Sequence, residues 1–123
     1  MKILLVNPPF QRLKRVRQVY FPVGLGYLAA VLLRNGHDVL IYNSEACWDS
    51  CCDDLKTILE LFKRDSRYFD SITKEEGNVW KEAKAVMERF QPDIVGITAM
   101  APNFAAARKL AGLAKRVLTN CKV

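Results

Sequence analysis

The residues of this 123-residue chain whose types and spacing could do chemistry are few: four cysteines, one histidine, a glycine pair and a basic run. Cys47, Cys51 and Cys52 invite a metal. A Cys-x-x-x-Cys-x-x-Cys cluster motif needs its third cysteine at position 54, which is Asp54. Adjacent cysteines rarely point at one ion, and zinc sites favour wider pairs. The three therefore read as incidental, and Cys121 stands apart. Met1-Lys2 leads straight into an apolar strand, with no charged stretch and apolar helix of a signal peptide. Reduced thiols and a cytoplasmic setting are expected. His37, the only histidine, falls at the start of a second strand and reads as a structural turn residue. No hydrolase nucleophile elbow is present, and no acidic pair follows the first strand to hold a metal. Neither catalytic residues nor metal ligands are expected from this chain itself.

Gly24-Leu25-Gly26-Tyr27-Leu28-Ala29 fits G-x-G-x-x-A. A dinucleotide site needs those glycines directly after strand one, so that the pyrophosphate meets a helix N-terminus. Strand one ends at Val6, with seventeen residues between it and Gly24, so the spacing argues against NAD. Glu45 falls at the end of strand two, where a ribose-binding acid would stand. Arg12, Lys14, Arg15 and Arg17 crowd one loop of a chain with net charge +6. Such a cluster can hold phosphate or nucleic acid, and a solvated loop is the plainer reading. No aromatic residues interleave with it, so nucleic acid is not expected as a partner. The apolar run Val23 to Leu33 is far short of the ~20 residues a membrane span needs, so no membrane partner is expected.

The elements that position these residues can be read in order. Ile3-Leu4-Leu5-Val6 has no polar face, as buried parallel strands do not. Asn7-Pro8-Pro9-Phe10 stops it, and Pro22 opens a helix with Leu25, Leu28, Ala29, Leu32 and Leu33 on one stripe. Gly36 ends that helix as a left-handed cap. His37 to Asn43 is strand two. Residues 44–77 read as an irregular insertion, with a helix over Asp53 to Phe62 (Leu55, Ile58, Leu59 and Phe62 on one side) and an ordered loop from Ser66 to Thr73. Glu75 to Phe90 is a helix with Val79, Ala83, Val86 and Phe90 inward. Asp93 to Thr98 is strand three. Asn103 can cap a last helix to about Thr119, with Ala106, Leu110, Leu113, Ala114 and Val117 inward. Cys121-Lys122-Val123 looks like the start of a fourth strand. Half the residues are apolar, enough for one compact domain over 1–123. The expected fold is three-layer α/β: a doubly wound, flavodoxin-like or Rossmann-like parallel sheet in the order two, one, three. It reads as truncated after strand four begins, a fragment of a longer chain.

Lys2-Ile-Leu-Leu-Val-Asn-Pro-Pro-Phe10, Phe21-Pro-Val-Gly-Leu-Gly-Tyr-Leu-Ala-Ala30, Gly36-His-Asp-Val39 and Gln91-Pro-Asp-Ile-Val-Gly-Ile-Thr98 occur in that order. Together they resemble the N-terminal cobalamin-binding domain of cobalamin-dependent radical SAM enzymes. The resemblance covers about residues 1–45 and 75–123. It implies a corrinoid held above the carboxyl ends of the sheet. It also implies a C-terminal radical SAM barrel carrying an iron–sulfur cluster and S-adenosylmethionine, with methyl transfer or a related radical reaction as the outcome. By position, the cofactor-binding residues would be Asn7, Pro8, Pro9 and Phe10, then Pro22, Gly24, Leu25 and Gly26, then Thr98, Ala99, Met100, Ala101, Asn103 and Phe104. The small Ala99 and Ala101 would let a flat macrocycle approach the backbone. The family's Gly-Gly-x-His segment is absent. So is the D-x-H-x-x-G signature, and no histidine ligand to cobalt is implied.

Two other readings stand beside this one. Strand, helix and Gly-His-x-Val also open the nucleotide-sugar domain of two-domain glycosyltransferases. A non-catalytic regulatory or interaction α/β domain is the third. In all three, an unpaired strand three (Ile94, Val95, Ile97) lacks the charge or proline that usually blunts an edge. Either the isolated chain self-associates through that strand or Cys121 to Val123 fold back to cover it, and self-association is the expectation because so short a tail leaves too little chain for a full cover.

Overall fold

A computed structural model describes residues 1–17, 20–46, 58–74 and 77–123, with the backbone alone for residues 58–63. The expectations for Cys47, Cys51, Cys52, Leu55 and Glu75, and for the side chains of Ile58, Leu59 and Phe62, lie outside the described residues. Three strands form one sheet: β1 (Lys2–Asn7), β2 (Asp38–Asn43) and β3 (Ile94–Ile97). Their order is β2-β1-β3, and both pairs are parallel. Leu4 stands beside Leu40 and Val95, and Val6 beside Tyr42 and Ile97. The helices are α1 (Val23–Arg34), α2 (Ile58–Thr73), α3 (Asn78–Phe90) and α4 (Phe104–Val117).

Strand residues alternate between faces, and each face meets different helices. Leu4, Val6, Tyr42 and Val95 pack with Val79, Ala83 and Met87 of α3 and Ala106, Leu110 and Ala114 of α4. Ile3 and Leu5 pack with Leu25 and Ala29 of α1 on the opposite face. Leu4, Val6, Met87, Leu110 and Val95 are sealed from solvent, so truncating Leu4 to alanine would cost about 2–5 kcal/mol.

Several elements depart from the expected reading. Leu28 and Leu33 of α1 are exposed, so its buried stripe is Leu25, Ala29 and the half-buried Leu32. α1 is apolar nearly all round, and such a helix does not announce its inward face. Ser66 to Thr73 is helical rather than a loop. Arg64 and Tyr68 are buried one turn apart and tie that helix to the chain beneath it. β2 starts one residue after His37, whose backbone N–H closes the end of α1 on Leu32 O at 3.2 Å. Gly36 has φ +78°, the left-handed conformation its place after the helix requires. At the other edge, Lys122 makes an isolated parallel bridge to Ile94. Val95 N–H donates to Lys122 O and Lys122 N–H to Asp93 O, which covers the first part of the β3 edge. Among the described residues no helix is long and apolar enough to cross a membrane.

Candidate functional site at the carboxyl ends of the strands

All three strands end on one side, and there the polar groups interlock. Asn7 Nδ2 donates to Asn43 Oδ1 at 2.8 Å, across the β1–β2 pair. Thr98 Oγ1 donates to Asn7 Oδ1 at 3.3 Å, from the β3 side. Asn43 Nδ2 donates to Tyr20 O at 2.9 Å, fixing the segment that leads into α1. Ser44 Oγ donates to Asn7 O. An amide ladder thus links the three strand ends to the approach to α1.

Glu45 holds the loop after β1. Its carboxylate accepts backbone N–H bonds from Phe10 at 3.0 Å, Gln11 at 2.8 Å and Arg12 at 3.0 Å. These are the donors that the short 3₁₀ turn Arg12–Lys14 cannot satisfy internally. Glu45 is buried, and its oxygens are spent on the backbone rather than turned toward a ribose. Arg12 and Lys14 of the basic run are spent as well. Arg12 donates to Ser44 O at 3.2 Å and pairs with Glu82 at 2.8 Å. Glu82 also accepts from the Tyr42 hydroxyl at 3.1 Å. Burial foremost, with the Glu82 charge adding to it, pushes the Tyr42 phenol far above its ordinary pKa. Lys14 pairs with Asp65 and lies 4.1 Å from the centroid of the Phe10 ring. The solvated-loop reading therefore fails for Arg12 and Lys14, which are framework. Arg15 is exposed and takes a left-handed backbone (φ 58°) that ends the turn.

The stretch after β3 is built differently. Ala99, Met100, Ala101, Pro102 and Phe104 are all exposed. Asn103 is buried, and its Oδ1 accepts from Met100 N–H at 2.7 Å. It therefore fastens the turn before α4 and makes no side-chain cap on α4 itself, contrary to expectation. Beside this shelf lies a pocket of about 380 Å³ lined by Phe10, Tyr68, Phe69, Ala101 and Pro102, with the Lys14–Asp65 ion pair also on its wall. Phe10 meets Tyr68 edge to face at 5.2 Å. Among the described residues the buried Tyr68 hydroxyl has no hydrogen-bond partner, although the Ala106 backbone N–H is near enough to work against the rise in its pKa. Burial raises its pKa.

The sequence-expected residues thus divide. Phe10 and Ala101 line the pocket, Ala99 and Met100 stand exposed on the shelf, and the exposed Phe104 lines a separate groove between α4 and the end of α2. Gly24 is exposed with open space where a side chain would be, while Gly26 lies under the Phe21 ring, 2.8 Å from where a Cβ would stand. Pro22 is half-buried at the start of α1. Asn7 and Thr98 belong to the amide ladder. Pro8 and Pro9 are fully buried, and Leu25 packs under α1 against the sheet, so these three are corrected from ligand contacts to core. Sequence reasoning missed the framework roles of Arg12, Ser44 and Glu82 and the unpartnered Tyr68. The only hint was Tyr68 one turn from Arg64 on a helical period. Among the described residues, no three His, Cys, Asp or Glu side chains gather where a metal would sit. Comparison with known proteins gives no match: no family profile, curated protein or solved structure is significantly similar to this chain.

Proposed function

We propose that this chain is a cobalamin-binding domain that serves a radical SAM enzyme, its sheet forming part of a doubly wound, flavodoxin-like three-layer fold. The observation that carries the reading is the shelf at the end of β3. Its small and apolar residues Ala99 to Pro102, with Phe104, lie open beside a pocket holding an unpartnered phenol. A corrin presents a broad apolar face and a rim of amides, and these residue types fit both. Ala99, Met100, Ala101 and Phe104 would bear the macrocycle. Phe10 and Phe69 would stack on a displaced planar base, with Tyr68 packed behind them. When bound, the corrinoid supplies a cobalt that can carry and release a methyl group. The iron–sulfur cluster and S-adenosylmethionine would be held by a partner radical SAM barrel.

The chain's own residues bind, orient and exclude water. The amide ladder and Glu45 keep the floor beneath the macrocycle rigid, so little ordering remains to be done on binding. His37 lies at the opposite, amino end of β2, so cobalt receives no imidazole from this chain. The nucleotide-sugar reading loses support because Glu45, the acid placed to read a ribose, is engaged by three backbone N–H groups.

The test is to incubate the protein with hydroxocobalamin, pass it through gel filtration and record the corrinoid absorption. Retention near one equivalent, without a histidine-ligated cobalt spectrum, is expected. Failure to retain corrinoid, or retention that depends on His37, would overturn the proposal.

A further inference from the structure

Phe104, Arg108, Gly112 and Arg116 recur every four residues along α4 and so follow one stripe. All four line a groove between α4 and the end of α2, with Ile72 and Thr73 as its far wall and a volume of about 430 Å³. The wall is fixed. Lys109 Nζ donates to Ile72 O at 2.6 Å and to Lys74 O, and it lies 4.6 Å from the centroid of the Trp80 ring. One cation therefore ties the end of α2 to α4 and α3.

Three features of the groove point to one kind of occupant. Its lining is apolar at Ile72, Phe104 and Ala105. Gly112 stands mid-helix with open space where a side chain would be, leaving a notch into which a foreign side chain or backbone can come close. Arg108 and Arg116 flank that notch, exposed and without an ion pair among the described residues. They stand about 12 Å apart along the axis, two helical turns. α4 carries four basic residues and no acidic one, so its field has one sign throughout.

We infer that this groove docks an acidic amphipathic helix of a partner protein. An apolar residue fills the Gly112 notch, the apolar face lies over Ile72 and Phe104, and carboxylates about two turns apart meet Arg108 and Arg116. Grooves of this kind take helices through an apolar stripe, and flanking charges set orientation. The inference shares Phe104 with the corrinoid reading but does not rest on it, because Arg108, Gly112 and Arg116 lie outside the shelf.

The probe is a fluorescein-labelled synthetic helix with leucines on one face and glutamates two turns apart beside them, titrated into the protein by anisotropy. Saturable binding in the micromolar range is expected, weakening as salt rises. The Arg108→Glu, Arg116→Glu double variant is expected to bind about tenfold more weakly, and so is Gly112→Leu, which fills the notch. Leucine is a better helix former than glycine, and circular dichroism confirms that each variant is folded. The inference is overturned if the acidic helix fails to saturate the wild-type protein. It is also overturned if Gly112→Leu binds as wild type does, or if a single-stranded oligonucleotide binds as tightly and indifferently to the notch. Either of these last two results would reduce the stripe to a non-specific polyanion surface.

Discussion

Two loops lie side by side over the carboxyl ends of the sheet, and they are built on opposite principles. The loop after β1 is rich in charge, and half of its basic residues, Arg12 and Lys14, are turned inward to ion pairs while Arg15 and Arg17 stay exposed. Arg12 and Lys14 are paired, and the backbone donors of residues 10–12 converge on one buried carboxylate. The loop after β3 has no charged side chain from Thr98 to Phe104, and its apolar residues Ala99 to Pro102 and Phe104 stand open to solvent. The difference teaches that local charge is a poor guide to which loop is left open. Buried charge must be paired, so the basic loop closed on itself. Uncharged small residues carry no such requirement and stay available.

The comparison breaks most severely at Glu45. In Glu45→Gln the amide presents one accepting oxygen in place of two, and one or more of the three backbone donors loses its partner. Hydrogen bonds to a charged group are worth roughly 1.5–3 kcal/mol each, so a loss of about 3 kcal/mol or more is expected in denaturant unfolding. A variant as stable as wild type would show that the loop is held by other contacts. A smaller effect is expected at Tyr42, which joins β2 to Glu82. Tyr42→Phe should cost about 1 kcal/mol at neutral pH. The phenol pKa is raised in the folded state, so its contribution is present below the unfolded value near 10 and is lost as pH climbs from there toward the folded value. Unfolding followed from pH 9 to 11 should therefore show a steeper decline in wild type than in Tyr42→Phe. Parallel declines would contradict the assignment.

Much of the fold was legible in the residues, and the reasons are specific. The unbroken Ile3-Leu4-Leu5-Val6 run announced a central strand, because a strand buried on both faces needs no polar alternation. The order of the three strands followed from two strand–helix–strand crossovers. The inward face of α1 was not legible, since Leu28 and Leu33 are as apolar as Leu25 and Leu32. Helix α2 was misread over Ser66 to Thr73 because its buried residues are mixed with Asp, Ser and Arg. The role of Glu45 could not be read at all. Its partners are backbone N–H groups, which every residue but proline carries and which leave no mark on the sequence. At the shelf, Ala99 and Ala101 were legible as small residues at a strand's end. Tyr68, which lines the pocket from 33 residues earlier in the chain than Ala101, was not.

The most direct measurement of the division between these loops pairs stability with binding in one variant, Ala101→Trp. Ala101 is exposed and lines the pocket, so the indole fills space that no side chain of the fold requires. Unfolding free energy is expected within about 0.5 kcal/mol of wild type, as for surface substitutions away from packed features. Hydroxocobalamin retention through gel filtration is expected to vanish. A folded Ala101→Trp protein that keeps its corrinoid would contradict the account, because the open loop after β3 would not then be the binding surface.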